Sequence, residues 1–204
     1  MTIAAVLGAM FFGTAGYTGV LLGQRFSEKL ERLPDGPPPV HVPELLLVVC
    51  TAAIGAIVTS SMIAPGRVLL IAMVCAALVA IWVTDAKRGI VPDVFTLVPL
   101  AVVLVVGAWQ HTWWFFASAA IPLVPFAVVA SLSHGRGMGW GDVKLVALGG
   151  AVLGVNLSIL AFALACAAAV AVNYRGGRKR GPIAFAPYLA SAIGLAIPIG
   201  IMSR

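Results

Sequence analysis

Long apolar runs separated by short polar breaks set the pattern of this chain. Stretches such as Val68 to Val83 are apolar throughout. The strict alternation of a membrane β-strand is absent, so helices are predicted. About 20 apolar residues cross a bilayer as a helix. By that measure the sequence predicts eight helices, over residues 2–24, 43–63, 67–84, 94–109, 112–132, 142–155, 157–174 and 182–202. The sixth is short and ends near Asn156. The one sizeable connection, Arg25 to Pro43, is polar and carries Pro34, Pro37, Pro38, Pro39 and Pro43. It reads as a tether across a surface, not a folded unit. The expected architecture is an all-α, polytopic transmembrane bundle. It forms a single membrane-embedded domain over 1–204, with a short cytoplasmic loop at 25–42 after the first helix.

Composition makes the membrane reading firm. The 204 residues are 61% hydrophobic and 10% charged, with a mean hydropathy of +1.07. A soluble domain is about 45–50% apolar and about 25% charged. The net charge of +6 raises nucleic acid as a partner, but the basic residues sit in short loops between apolar runs, where they orient spans. With the N-terminus outside, the cytoplasmic loops hold Arg25, Lys29, Arg32, Lys87, Arg88, Arg136, Lys144, Arg175, Arg178, Lys179 and Arg180, eleven of the thirteen. Arg67 and Arg204 fall outside. The opposite orientation would violate the positive-inside tendency. The run from Arg175 to Arg180 is expected to meet anionic lipid. Membrane lipid is therefore the expected partner of these charges, not nucleic acid.

The same orientation puts Trp109, Trp113 and Trp114 in an outer aromatic belt and Trp82 and Trp140 near the inner interface. No basic residue precedes the first apolar run, so a retained span is predicted there, not a cleaved signal peptide. Cys50, Cys75 and Cys166 lie inside apolar runs with no Cys-x-x-Cys pair. They read as small hydrophobes, and no metal or organic cofactor is expected.

Two of the seven acids stand out. Asp85 closes the third predicted helix where it reaches the cytoplasmic side, and Asp142 opens the sixth where it leaves that side. An ionisable group costs about 2.5–3.5 kcal/mol at the centre of a membrane helix, and is usually functional where it persists. Gly137, Gly139 and Gly141 alternate just before Asp142, a backbone that a substrate or another helix can approach closely. Each acid also has a plainer reading. Asp142 is placed to cap the sixth helix, and Asp85 to pair loosely with Lys87 or Arg88. Asp93, after Pro92, reads as the acid that starts the fourth helix. Lys144, one turn into the sixth, is placed to pair with a carboxylate or a lipid phosphate. Gly19-x-x-x-Gly23 and Gly150-x-x-x-Gly154 have the spacing of close helix packing. His41, His111 and His134 read as loop residues.

These residues carry a resemblance. Gly139-Trp140-Gly141-Asp142 fits the Gly-x-Gly-Asp signature of intramembrane aspartyl proteases. The longer string from Gly137 to Leu145 resembles the second motif of type IV prepilin peptidases. Asp85 with Ile90-Val91-Pro92-Asp93 and Thr96-Leu97 is similar to their first motif, with Val91 inserted before the proline. Gly19 to Pro34 and Ile183 to Tyr188 resemble two further family elements, with Ala184 and Ala186 in place of a proline and a glycine. Trp140 stands where a glycine is usual, which narrows one approach.

The resemblance implies a catalytic pair of Asp85 and Asp142, with Gly139 and Gly141 as the backbone a substrate approaches. It implies an aspartic endopeptidase that removes leaders from prepilin or pseudopilin substrates, each with a basic leader and an apolar helix, at the cytoplasmic face of the cell (inner) membrane. The loop at 25–42 has no cysteine and fewer than twenty residues, which matches a short form without the zinc-binding, methyl-transferring insert. Two other classes compete. In a proton- or cation-coupled transporter, the acids form a relay and nothing is cleaved. In an inactive scaffold of a pilus or secretion assembly, either acid can be replaced without effect.

Overall fold

The computed structural model describes residues 2–30, 43–61, 63–132, 138–175 and 184–202. Among them eight helices follow one another and there is no strand: α1 (Ile3–Lys29), α2 (Glu44–Ser60), α3 (Pro65–Arg88), α4 (Asp93–Trp109), α5 (Trp114–Leu132), α6 (Trp140–Leu153), α7 (Val155–Arg175) and α8 (Ala186–Met202). The number and order are those the apolar runs predict. Most of the tether, together with His134, Arg136, Gly137 and Arg178 to Arg180, lies outside the described residues.

The boundaries shift for identifiable reasons. α1 runs past residue 24 because the polar turn that follows is packed. Phe26 meets Phe95 of α4 edge-on with ring centroids 4.9 Å apart, and Ser27 is buried with its hydroxyl donating to the Gln24 carbonyl. α3 continues beyond Asp85 to Arg88 and is ended by Gly89 at φ 72°, the left-handed cap that glycine supplies. Asp85 therefore sits in the last turn of α3, not at its end. α6 starts at Trp140, which makes Asp142 its third residue.

α3 and α6 form the interior. α3 is buried on nearly every side from Ile71 to Ala86, and α6 along most of its length. A helix that is apolar all round belongs at the centre of a bundle. α1 and α2 pack on the flank of α3, while α5 and α7 cover α6. α4 and α8 each touch both inner helices and hold them apart. No Cα of α3 comes within 8 Å of a Cα of α6.

Outward-facing Leu7, Leu45, Val105, Val128 and Leu160 are exposed, as suits lipid-facing walls. α1, α3, α5 and most of α7 are long and apolar enough to cross a membrane, and α2, α4 and α8 are shorter apolar helices. The chain is a multi-pass membrane protein. α6 has 14 residues, or about 21 Å of rise, against a hydrocarbon core of about 30 Å. Gly154 at φ 81° ends it, and α7 folds back so that Phe162 packs against Gly149.

Close glycine contacts seat the outer helices. A side chain on Gly19 would strike the Ala76 carbonyl of α3, so the predicted Gly19–Gly23 stripe docks α1 onto α3. The other predicted pair divides its roles: Gly150 packs on α5 and Gly154 breaks the helix. A β-carbon on Gly150 would meet the Ser118 carbonyl oxygen, which is backbone and cannot swing away. Gly150→Ala is expected to destabilise the bundle by about 1–3 kcal/mol, as overpacking does. Its melting temperature in detergent should fall clearly below that of Gly13→Ala, whose β-carbon makes only an ordinary 3.5 Å contact with Ala52.

Candidate active site

One end of the bundle gathers the C-termini of α1 and α3 with the N-termini of α2, α4, α6 and α8. Polar side chains concentrate there. Gln24 donates to Glu44, Lys87 lies 3.6 Å from Glu44, and Lys144 Nζ lies 2.6 Å from Asp93 Oδ1. The opposite end carries the exposed Trp109, Trp113 and Trp114.

Asp85 and Asp142 lie behind the rim of the polar end, and both are buried. Asp142 is positioned by the start of its helix. Gly139 is the extended N-cap residue, and its N–H donates to Asp142 Oδ2 at 3.3 Å, the reciprocal half of a capping box. The capping role anticipated for Asp142 is therefore present and engages one oxygen. Asp85 does not pair with Lys87, because Lys87 turns to Glu44. Among the described residues, Asp85 Oδ2 is buried without a hydrogen-bond partner. Natural folds rarely leave such an atom unsatisfied, and the exceptions concentrate at functional sites.

The Asp85 carboxyl group has two neighbours from other helices, one on α6 and one at the start of α8. The charge of Asp142 reaches it, and so does the backbone N–H of Ala186. The structure thus brings together two acids 57 positions apart at one depth in the bundle. The inner backbones stay separated, which leaves room between the side chains. Ala186 is the first residue of α8 and fully buried. Its place beside Asp85 was not foreseen; the only sign of it was the family-like stretch from Ile183 to Tyr188.

The two glycines differ. Among the described residues, a β-carbon on Gly139 would meet nothing nearer than Asp142 Oδ2 at 3.6 Å, which leaves room beside its backbone. A β-carbon on Gly141 would come within 2.7 Å of Val91 Cβ, so Gly141 lets the α3–α4 connection press against α6. The Lys144–Asp93 pair joins the same two segments. Asp93 starts α4 as expected and also receives Lys144. Trp140 is exposed, so its bulk lies at the surface of this end and not between the acids. Among the described residues no three His, Cys, Asp or Glu side chains converge as metal ligands.

The sequence profile of the type IV leader peptidase family matches residues 71–173, a segment that contains both aspartates. The chain belongs to the type IV leader peptidase family. The prepilin leader peptidase/N-methyltransferase of Bacillus subtilis is 35% identical over 133 residues, covering 60% of this chain and 52% of that protein. The chain spans about half the length of this curated relative. No solved structure matches. In this family member the matched segment begins within α3 and ends within α7, so it holds both inner helices and α4, which bridges them.

Proposed function

We propose that the chain is an intramembrane aspartic endopeptidase that cleaves the leaders of type IV prepilin-like proteins. The observation that carries this reading is a buried, unpartnered oxygen on the Asp85 carboxyl group, with a second buried acid, Asp142, near enough for its charge to act on that group. Two opposed carboxyl groups that hold one proton between them perform peptide hydrolysis without further groups. The ionised member takes a proton from water, and the other gives its proton to the scissile carbonyl oxygen. The resulting tetrahedral diol collapses as the C–N bond breaks and the departing nitrogen is protonated by the dyad. The roles belong to the pair as a unit. Gly139 gives the substrate backbone an open approach to Asp142. Gly141 holds the first motif against the second.

The orientation belongs to the same proposal. Lys29, Lys87, Arg88 and Lys144 fall at or near the polar end, which favours a cytoplasmic site and an outside N-terminus in the cell (inner) membrane. The substrate is then a prepilin or pseudopilin with a basic leader and an apolar helix. The whole described chain acts as one membrane-embedded peptidase domain. The test is cleavage of a co-expressed prepilin in membranes, with the new N-terminus read by mass spectrometry. Cleavage at the leader junction upholds the proposal. An inert protein, present at normal levels with several prepilins, sinks it.

The Lys144–Asp93 pair yields a prediction. Both side chains are partly exposed, so the pair contributes only about 0–1 kcal/mol to stability. Its effect should be on position. Lys144→Met is expected to lower kcat about tenfold with little change in melting temperature, since small misplacements at reacting groups cost large factors. The exchange Asp93→Lys with Lys144→Asp should recover most of the loss. If the exchange is no better than either single variant, the pair does not position the site.

A further inference from the structure

A cavity of about 700 Å³ lies at the end of the bundle away from the two aspartates. α3, α4, α6 and α8 touch in a ring around it. Its walls are apolar and buried: Ile71 and Val74 of α3, Val103 of α4, Leu153 of α6 and Ile197 of α8. Its rim is exposed, with Gly66 and Arg67 of α3 and Gln110 just after α4. The cavity follows from the unequal reach of the two inner helices. From Asp85 back to Pro65, α3 rises about 30 Å; from Asp142 on to Leu153, α6 rises only about 17 Å before Gly154 ends it. The cavity occupies the difference, at a depth that belongs to the hydrocarbon core of a bilayer about 30 Å thick.

Wall and rim together select an occupant. A cavity water needs about 2–4 polar partners, and the buried wall side chains are aliphatic. The apolar matter that a bilayer supplies at this depth is an acyl chain, and the volume falls in the range of about 300–1,000 Å³ that holds a small-molecule ligand. The rim adds a charge. Arg67 makes no ion pair among the described residues. The five acids among those residues, Glu28, Glu44, Asp85, Asp93 and Asp142, all lie toward the polar end. Arg67 also stands in the first turn of α3, where the helix dipole disfavours a cation and no acid offsets it. Helix stability therefore gives no reason for an arginine there. A phosphate does: the guanidinium fork binds it through paired charged hydrogen bonds. Gln110 puts an amide on the same rim.

We infer that this cavity seats an anionic phospholipid, with one acyl chain between α3, α4, α6 and α8 and its phosphate on Arg67. The lipid completes the interior where α6 stops short, and so helps hold α3 and α6 at their spacing. The site belongs to the bundle, and the inference does not rest on the peptidase reading.

The experiment uses the whole protein purified in detergent. Phosphatidylglycerol with a diazirine on its acyl chain is added and photolysed, and the adducts are mapped by mass spectrometry. They are expected on the cavity walls, at Val74, Val103, Leu153 or Ile197. Adducts confined to outward-facing residues such as Val105 and Leu160 overturn the inference. Phosphatidylglycerol should also raise the melting temperature, as a ligand of the folded state does, and more than phosphatidylcholine does. Arg67→Gln is expected to shift that response to about tenfold higher lipid, as loss of a charged hydrogen bond does. Because Arg67 is exposed, the melting temperature in detergent alone should not change. Val106→Trp puts a ring into the cavity and should remove both the wall adducts and the response. If that variant does not fold, the adducts on the unaltered protein decide. Equal stabilisation by the two lipids, unmoved by Arg67→Gln, overturns the inference. So does an equal response to inorganic phosphate alone, which marks a free-anion site.

Discussion

Asp85→Asn and Asp142→Asn are each expected to remove prepilin cleavage while leaving the bundle folded. General acid–base catalysis contributes about 10²–10⁴-fold to a rate, and an amide replacing either carboxyl group cannot exchange the proton. The double variant should be no slower than the slower single one, because groups that act as a unit do not add. Stability should move the other way at Asp85. Its Oδ2 is buried without a partner, so replacing a carboxylate by a neutral amide lowers the cost of keeping the group from water. Asp85→Asn is expected to melt at the same temperature or higher. At Asp142 the asparagine oxygen can still accept the Gly139 N–H, so the start of α6 is retained. Single-turnover cleavage with purified protein in detergent, alongside thermal melts, reads both quantities. A variant that keeps more than about a tenth of the parent rate removes that residue from the pair. A large loss of melting temperature at Asp85 would make it a structural acid.

This opposition between function and stability explains which parts of the molecule were legible from sequence. Helix number, order and approximate ends follow from the length of apolar runs, because a bilayer demands a minimum span and internal backbone pairing. The acids were legible for the complementary reason: Asp85 and Asp142 break an apolar pattern, and although Asp142 also caps α6, Asp85 Oδ2 has no hydrogen-bond partner among the described residues. What the pattern could not express was lateral arrangement. α3 and α6 are equally apolar with or without contact, and only the structure has α4 and α8 hold them apart. The same limit hid Ala186, whose contribution is a backbone N–H with no side-chain signature. The sequence pattern places Phe26 and Ser27 in a loop, because periodicity says nothing of a polar turn packed against a distant helix. The sequence places Lys144 to pair with a carboxylate or a lipid phosphate; its choice of Asp93, 51 positions away, requires the fold.

Gly141→Ala is expected to lower kcat/KM about 100-fold, with the loss largely reversed by Val91→Gly. The β-carbon of alanine would lie 2.7 Å from Val91 Cβ, closer than two such atoms approach, and Val91 is a stiff β-branched residue that cannot rotate its Cβ away. The connection carrying Val91 must therefore back off from α6. That connection leaves α3 only a few residues after Asp85 and is also the segment to which Lys144 is tied through Asp93. Displacing it widens the gap across which the two aspartates act. A displacement of about 1 Å at reacting groups can cost a factor of about 10². Removing the Val91 side chain clears the space, so the Gly141→Ala, Val91→Gly double variant should approach the parent rate. Gly139→Ala separates the two glycine roles: among the described residues its β-carbon meets no atom nearer than 3.6 Å, so the fold should tolerate it. Any loss there should fall on KM, through the approach of the substrate backbone. Cleavage kinetics of the three variants decide the matter. If Gly141→Ala is as active as the parent, or Val91→Gly gives no rescue, contact between the two motif segments does not set the separation of the acids.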